Sequence, residues 1–308
     1  MQPFNRTLAS AMSTKSPTFT LAALNKMAQA GFAAALGDIF EQAPWVAGGA
    51  ASRRPFGTVT DLHDAMLAVL AAATPELVIG FLNNHPDLAG LAAQTPQLTA
   101  HSKDEQAGAG LDELTPEETA RLARWNAEYR ARFGFPFIIC VRRHTRASIF
   151  AEFSRRLAGQ PEIERRTALD EIARITALRL ATRVSGEGMP KVHGKLSTHL
   201  LDTARGRPVA GVKVELFVLA DDGSARLVAA AVTGADGRTQ APLIDAQPVP
   251  IGTYEMRFSL GLYLSDRAAG RLPFLDVVPI RFTVTEPEAH YHIPLLFTPW
   301  SYTTYRGS

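Results

Sequence analysis

The spacing of apolar positions changes part-way along the chain. Between residues 20 and 183, apolar side chains recur every three or four positions, which is the period of an amphipathic helix. Two such sets are Leu62, Met66, Val69 and Leu70, and Ile163, Leu169, Ile172 and Ile175. Beyond residue 191 apolar and polar residues alternate in VKVELFVL, TYEMRFSL and IRFTVT, as in half-buried strands. The pattern predicts a multidomain α and β chain, with an all-helical half before an antiparallel β-sandwich.

Helix start signals agree with this division. Thr60 and Asp61 precede one apolar-periodic segment and predict a helix start there. In the stretch TPEET, Thr115 can cap a helix, Pro116 would occupy its first position and Glu118 would complete a capping box.

Turn and linker residues set the expected domain boundaries. A chain of 308 residues exceeds what one hydrophobic core usually encloses. The stretch VSGEGMPK (184–191) reads as a linker, and ADDG (220–223) and ADG (235–237) read as turns of a small sandwich. We therefore predict a disordered tail over 1–17, a helical domain over 18–183, a linker over 184–191 and a β domain over 192–308.

The composition of the chain limits the classes of binding partner that we expect. The net charge of +2 comes from 32 basic and 30 acidic residues that are interspersed, which argues against nucleic acid or an anionic membrane as partner. Small molecules are the expected ligands. Cys140, the one cysteine, lies in the apolar FPFIIC and predicts a buried residue rather than a nucleophile. No membrane span or signal peptide is predicted, so we expect a cytoplasmic protein.

The C-terminal half carries three stretches with candidate chemistry, KLSTHLLDTARGRPVAGV, TGADGRTQAPL and HYHIPLLFTPWSYTTYRGS. On a strand, His290 and His292 share one face and Tyr291 takes the other. From spacing alone, each histidine is more often a solvated group than a catalyst. Arg238, in a DGR turn, can likewise be an exposed cation.

These stretches resemble the 5-hydroxyisourate hydrolases, the transthyretin-like enzymes of urate breakdown, over about residues 190–308. The ending Tyr-Arg-Gly-Ser separates the hydrolases from transthyretin, which keeps the fold but binds hormone. The resemblance implies sites where two β dimers meet in a tetramer. His290 is left out of the site, and His199 and His292 would divide the base and acid roles in either order. The implied catalytic residues are His199, Arg238, His292 and Ser308, with substrate contacts from Tyr305, Arg306 and Gly307.

Two other interpretations of this half stay open. One is a transthyretin-like binding or carrier module without catalysis. In that case only one of the two halves of the chain would retain an enzymatic activity. The other is a metal hydrolase, which is disfavoured because no carboxylate lies at ligand spacing beside the histidines. Its candidate ligands would be His193, His199, His290 and His292.

In the helical half, Arg179 lies seven residues after Ile172 and four after Ile175, on the apolar face of its own helix. Arg165, Arg166 and Arg174 fit the solvated face instead. A buried guanidinium costs several kcal/mol unless a carboxylate or a ligand anion compensates it. The pattern alone leaves structural pairing and anion binding open.

The stretches HPDLAG, FGFPFII and a Ser-x-x-Glu-Gln run resemble the 2-oxo-4-hydroxy-4-carboxy-5-ureidoimidazoline (OHCU) decarboxylases over about residues 18–183. That family is all-helical and uses no cofactor. The resemblance implies that His85 and Glu105 form a catalytic pair and that Arg179 holds an anion. The expected substrate contacts are Pro86, Ser102 and Gln106, with the backbone of Phe137, Ile138 and Ile139.

The two resemblances name consecutive reactions. They predict one enzyme that hydrolyses 5-hydroxyisourate to OHCU and then decarboxylates OHCU to (S)-allantoin, with no metal or cofactor. They also predict a homo-oligomer, a tetramer through the β domain with possible dimer contacts through the helical domain.

Overall fold

The computed structural model describes residues 18–88, 111, 113–265 and 272–307. The chain divides into two compact units, with the boundary between Val192 and His193. Within the described residues, the first unit is helical and the second consists mainly of strands. The predicted fold class is therefore confirmed. The tail predicted over 1–17 lies outside the described residues.

The helical unit contains eight described α-helices and one short parallel strand pair. The strand pair joins the two ends of the unit, since β1 (Phe19–Thr20) lies beside β2 (Val184–Ser185). Short 3-10 turns occupy Ala51–Arg53 and Val141–Arg143. The helices are α1 (Leu21–Lys26), α2 (Gln29–Leu36), α3 (Pro44–Ala50), α4 (Val59–Ala71), α5 (Pro75–Asn83), α6 (Pro116–Phe133), α7 (Arg146–Leu157) and α8 (Pro161–Arg183).

Side-chain caps fix where two of these helices begin. For α6 the structure has Thr115 as N-cap, Pro116 in the first turn and the Glu118 capping box, as predicted. The start of α4 was predicted two residues late, because its capping box is formed by Thr58 and Asp61. Two threonines stand near this start, and the three-residue spacing to the acidic side chain selects the earlier one.

The predicted apolar face of α8 is mostly buried, with one exception. Ile172 is buried in the helical core and Leu169 and Ile175 pack against it. Ile163, which belongs to the same apolar set in the sequence, is 61% exposed. It belongs to the first turn of α8, where the neighbouring Pro161 and Glu162 are also exposed.

Buried charged groups hold the segment that carries the FPFIIC motif. The Arg156 guanidinium donates from Nη1 to the Ile138 carbonyl at 2.8 Å and pairs with Glu164 at 2.5 Å. The Tyr129 hydroxyl donates to the same Glu164 carboxylate. The Cys140 amide donates to Glu171 Oε2 at 2.8 Å, and Cys140 is buried as predicted. The backbone from 138 to 140 is therefore fixed by charge-assisted hydrogen bonds.

Part of the predicted linker is hydrogen-bonded into the helical unit. Beyond β2, the carbonyls of Glu187 and Gly188 accept from the backbone amides of Val59 and Thr60 at 2.9 and 3.0 Å. The segment up to Gly188 therefore follows the start of α4.

The second unit contains two sheets. One has the strand order β11, β10, β3, β4, with β7 also paired to β3, and the other has the order β6, β5, β8, β9. The elements are β3 (Gly194–Asp202), β4 (Arg207–Pro208), β5 (Lys213–Leu219), β6 (Ala225–Val232), β7 (Ile244–Gln247), β8 (Gly252–Ser259), the short helix α9 (Gly261–Leu264), β9 (Val277–Val284), β10 (His290–Phe297) and β11 (Tyr302–Thr304). The three predicted strand stretches correspond to β5, β8 and β9.

The first and last long strands of this unit pair in parallel. In the register of β3 and β10, His292 lies opposite Ser197 and Pro294 lies opposite His199. The other strand pairs described in this unit are antiparallel. Because the β-sheet alternates, the even-numbered residues Leu196, Thr198 and Leu200 enter the core, and the residues between them face outward.

Within the described residues, no single helix combines the length and apolar character of a membrane span. Only α4 and α5 taken together satisfy these criteria, and the two helices meet at a bend of 112°.

The buried Arg156–Glu164 pair gives a stability prediction. We expect Arg156→Ala to destabilise the helical unit by about 3–5 kcal/mol, because it leaves a carboxylate buried without its counter-ion. The neighbouring Arg155→Ala is the control: Arg155 pairs with Glu152 but is 65% exposed, and its loss should cost less than about 1 kcal/mol. Urea unfolding followed by the helical circular dichroism signal measures both. Equal effects would contradict the assignment.

Candidate active sites

The outward face of β3 and β10 brings together the imidazoles of the β unit. His290 and His292 lie on one face of β10, while Tyr291 between them is 2% exposed and enters the core. This confirms the predicted alternation. Parallel pairing places these histidines beside the outward residues of β3, among them Ser197 and His199.

A tight turn places Arg238 next to His199. The two residues form an isolated antiparallel bridge, and the Leu200 amide donates to the Gly237 carbonyl at 2.9 Å. Gly237 has φ +76°, and a Cβ there would lie 2.4 Å from the Leu200 carbonyl oxygen. Only glycine fits this conformation and this close approach. The turn is thus locked against β3, with the Arg238 backbone beside that of His199.

One nitrogen of His199 is fixed by the same turn. His199 Nε2 lies 2.8 Å from the Asp236 carbonyl oxygen. A carbonyl can only accept, so Nε2 carries the proton and Nδ1 is the nitrogen left for other partners.

The C-terminal segment runs alongside His292. Beyond β11, the Gly307 amide donates to the His292 carbonyl at 2.7 Å, and the His292 amide donates back at 3.2 Å. A Cβ on Gly307 would lie 3.1 Å from both Cβ and Cδ2 of His292, so the glycine backbone packs directly against the imidazole. Two residues of the predicted site, Gly307 and His292, are therefore in direct contact.

The other predicted tail residues have different positions. The Arg306 guanidinium lies 4.5 Å from the centre of the Tyr291 ring and 3.2 Å from Glu286, so these contacts anchor the tail. Tyr305 is 56% exposed. Ser308 lies outside the described residues. The substrate contacts expected of these residues stay predictions.

Positive neighbours lower the pKa of both strand histidines. Burial is the largest cause of the lowered pKa of His292, followed by the charges of Arg238, His290 and His199. Burial also lowers the pKa of His290, together with the charges of Lys195 and Arg238. Both imidazoles are therefore mainly neutral at neutral pH, and the Arg238 charge acts on each of them.

Sequence reasoning missed two residues of this face. Ser197 Oγ lies 2.8 Å from His290 Nε2 and 3.0 Å from His292 Nδ1. Lys195 lies opposite His290 in the strand register. The alternation of β3 places both residues on the face of His199, but their contact with β10 depends on a long-range parallel pairing that no local pattern indicates.

In the helical unit, Arg179 is compensated by a buried carboxylate. The guanidinium, 6% exposed, donates from Nη1 to Glu41 Oε2 at 2.8 Å. Glu41, 2% exposed, stands in the loop before α3 and was not singled out from the sequence. Its signal was the acidic residue in the apolar stretch IFEQAPW. Arg165, Arg166 and Arg174 are exposed, as predicted.

His85 follows the C-terminal end of α5, with Pro86 next in the chain. Its Nδ1 lies 3.3 Å from the Phe81 carbonyl oxygen, which requires the proton on Nδ1 and leaves a lone pair on Nε2. The Phe81 ring meets the imidazole edge to face at 5.1 Å. Pro86 is half-buried.

The charges of Glu41 and Arg179 both act on His85. The pKa of His85 is lowered to about 4: burial is the largest cause, the Glu41 charge opposes the lowering and the Arg179 charge adds to it. The structure therefore brings His85 and Arg179, predicted from distant segments, into one electrostatic group with Glu41.

The remaining predicted residues of the helical site are only partly described. Glu105, Ser102 and Gln106 lie outside the described residues. Phe137, Ile138 and Ile139 are buried, and the Ile138 carbonyl is engaged by Arg156. Their expected backbone contacts with substrate stay a prediction.

Across the described ranges, no group of three or more His, Cys, Asp or Glu residues is arranged to hold a metal ion. The four histidines considered for a metal hydrolase therefore do not form such a group.

Two family models match the two units. The OHCU decarboxylase model matches residues 25–181, and the HIUase/Transthyretin family model matches residues 196–307. The chain is 53% identical over 117 residues to a 5-hydroxyisourate hydrolase of Deinococcus radiodurans, covering 98% of that protein and 38% of this chain. It is 43% identical over 157 residues to the OHCU decarboxylase of Mus musculus, covering 88% of that protein and 51% of this chain.

The chain belongs to the OHCU decarboxylase family and, in its β unit, to the HIUase/Transthyretin family. A solved structure of an (S)-allantoin synthase is similar over both units at once. Identity is 32%, the alignment covers 94% of this chain and 100% of that one, and the TM-score is 0.50. That solved chain therefore aligns with both units of this one.

The His85 group gives a titration prediction. We expect Glu41→Gln to lower the pKa of His85 below its value of about 4, because the nearby negative charge that favours the imidazolium is removed. Histidine ring chemical shifts, followed by NMR against pH, measure this. His144 is the internal control: burial lowers its pKa to about 4 too, with Glu171 as its first electrostatic partner, and it should not move. An unchanged His85 pKa would show that the Glu41 charge does not act on His85.

The same lowered pKa has a consequence for stability. The unfolded chain binds the His85 proton near the usual value of about 6.5, whereas the folded chain binds it only at about 4. Acidification between these values therefore favours unfolding of the helical unit through this group.

Proposed function

We propose that this chain catalyses two consecutive steps of urate degradation. The β unit hydrolyses 5-hydroxyisourate to OHCU, and the helical unit decarboxylates OHCU to (S)-allantoin. The observation that carries the proposal is the presence in one chain of both families, together with the similarity of that chain over 94% of its length to a solved (S)-allantoin synthase.

Hydrolysis requires water to attack a ring acyl carbon, a C–O bond to form and the ring C–N bond to break. We assign proton removal from water to His292, because its positive neighbours and burial favour the neutral imidazole. In its cationic form, His199 supplies its Nδ1 proton to the leaving nitrogen while its Nε2–H continues to donate to the Asp236 carbonyl, and proton exchange with solvent returns both imidazoles to their starting forms. Arg238 holds the oxygen on which negative charge develops.

Decarboxylation breaks a C–C bond and leaves an electron pair that the imidazoline ring and its carbonyl can delocalise. In the proposed reaction, His85 Nε2 takes the substrate hydroxyl proton, because this nitrogen carries the lone pair and the imidazole is neutral. As CO2 leaves, the electron pair moves into the ring, and the proton on His85 together with one from water then completes (S)-allantoin. Arg179 binds an anionic oxygen of the substrate, and Glu41 fixes its guanidinium. Glu105 is expected to act with His85.

A carrier function for the β unit is less well supported. The chain has His292 with the Gly307 backbone packed against it, and it contains the Tyr-Arg-Gly-Ser motif of the hydrolase resemblance. Hormone carriage alone would give no role to the imidazoles that Ser197 links.

The proposed enzyme is a homo-oligomer. We expect a tetramer through the transthyretin-like unit, with further contacts through the helical unit left open. Light scattering during size-exclusion chromatography would determine the number of copies. A cytoplasmic location remains a prediction from the sequence.

Progress curves test the two activities. Purified protein is mixed with freshly made 5-hydroxyisourate and followed by ultraviolet absorbance and circular dichroism. We expect two successive signals that end in a single allantoin enantiomer. A single signal, or a racemic product, would show that the protein does not catalyse one of the two proposed reactions.

Reciprocal variants assign each step to its unit. We expect His292→Gln to reduce hydrolysis about 10²–10⁴-fold while decarboxylation of added OHCU is unchanged, because a positioned base contributes that much. His85→Gln should show the opposite pattern. Each variant is the control for the other, since each leaves the second unit intact. Loss of both activities in either variant would contradict two separate sites.

The tail backbone gives a further prediction. We expect Gly307→Ala to reduce hydrolysis, because its methyl group would lie 3.1 Å from the His292 ring and shift it by a few tenths of an ångström. The decarboxylation rate of the same sample serves as reference. Hydrolysis at the parent rate would show that the ring position is not critical.

A further inference from the structure

Ser197 joins the two histidines of β10 through one hydroxyl group. Its Oγ lies 2.8 Å from His290 Nε2 and 3.0 Å from His292 Nδ1, and the two imidazole centres are 6.1 Å apart. The serine stands opposite His292 in the parallel register, so the β3 backbone fixes its position. The Ser197 hydroxyl therefore contacts both His292, a residue of the proposed site, and His290, which was not assigned to that site.

The Ser197 hydroxyl has one proton to donate and two lone pairs that can accept. With both imidazoles neutral, it can donate to one ring and accept from the other in either sense, or accept from both rings; the last arrangement also leaves the lone pair on His292 Nε2. If Ser197 donates to His290, then His292 carries its proton on Nδ1 and has a lone pair on Nε2. If Ser197 donates to His292, then Nε2 carries the proton and cannot accept one from water.

We propose that Ser197 and His290 are positioning residues that hold His292 in the tautomer with a free Nε2 lone pair. This inference rests on the proposed hydrolase function of the β unit. His290 accepts the serine proton, Ser197 accepts the His292 Nδ1 proton, and Nε2 is left as the base. When Nε2 takes a proton from water, Nδ1–H continues to donate to Ser197, so no further proton has to move.

The C-terminal segment fixes the orientation of the His292 ring. The Gly307 backbone packs against Cβ and Cδ2 of this ring, on the edge away from Nδ1. Rotating the ring by half a turn would bring a nitrogen against Gly307 and remove the Ser197 contact. The two contacts together therefore direct Nε2 away from β3.

The link makes the base sensitive to the charge of His290. A protonated His290 donates from Nε2 to Ser197, so Ser197 can no longer donate to His290. The Ser197 proton is then free to donate to His292 Nδ1, which would place the His292 proton on Nε2. The charged groups that act on His290 are Lys195 and Arg238, which oppose protonation, and Asp245, which favours it. His292 is also affected by His199.

Serine variants give the first test. We expect Ser197→Ala to lower kcat for hydrolysis about ten- to a hundredfold with little change in KM, because the hydroxyl orients the base without touching substrate. Ser197→Thr keeps the hydroxyl on a β-strand and should restore most of kcat. Ser259→Ala, the same change on β8 of the other sheet, is the matched control and should be neutral. A Ser197→Ala enzyme with the parent kcat would overturn the proposal.

Variants of His290 separate hydrogen bonding from packing. In His290→Gln the side-chain carbonyl can accept the serine proton, so most hydrolysis should remain, and the acid limb of the rate profile should become less steep. His290→Leu fills similar space but cannot accept, so kcat should fall as in Ser197→Ala. Equal rates for the two variants would contradict the assigned role.

A measurement without substrate keeps this inference separate from the proposed function. Long-range nitrogen–proton NMR spectra of the histidine rings identify the tautomer of His292. We expect Nδ1–H in the parent protein, with a shift toward Nε2–H in Ser197→Ala and His290→Leu. Nε2–H in the parent protein would overturn the inference even if hydrolysis occurs. Absence of hydrolysis with the expected tautomer would instead count against the proposed function.

Discussion

In each unit an arginine charge acts on a partly buried histidine, and burial and this charge together favour the neutral imidazole. Arg179 lowers the pKa of His85, and Arg238 lowers that of His292, in each case after the larger effect of burial. A neutral imidazole can accept a proton, while the adjacent guanidinium can bind an anionic oxygen. In the proposed function, two unrelated folds therefore offer the same pair of groups to a small anionic substrate.

The two folds hold the guanidinium in different ways. Arg179 is buried, and burial of a lone charge would cost several kcal/mol, so Glu41 is required beside it. Arg238 is exposed, and its backbone is placed by the glycine turn that lies against β3. A carboxylate next to Arg179 also partly offsets its effect on His85, which leaves this imidazole able to bind a proton during a reaction.

Local signals were predicted well because they depend on a few neighbouring residues. The Thr115 capping box, the shared face of His290 and His292 and the burial of Arg179 follow from spacing along one element. Partners across the fold were not predictable in this way. Glu41 meets Arg179 across 138 positions of sequence, and Ser197 meets His292 across 95. The family resemblances supplied His85 and Arg238. They did not supply the Glu41 carboxylate, which pairs with Arg179, or the Ser197 hydroxyl, which contacts His292.

Fusion of the two units has a physical consequence that needs no channel between them. Each chain carries one β unit and one helical unit. In the proposed function, the number of decarboxylase sites therefore always equals the number of hydrolase sites that release OHCU. The hydrogen bonds of Glu187 and Gly188 to the start of α4 leave only a short connection before the boundary at Val192 and His193. Because a short flexible linker corresponds to an effective concentration on the order of millimolar between the modules it joins, the proposed second site is available at that local concentration even in dilute enzyme.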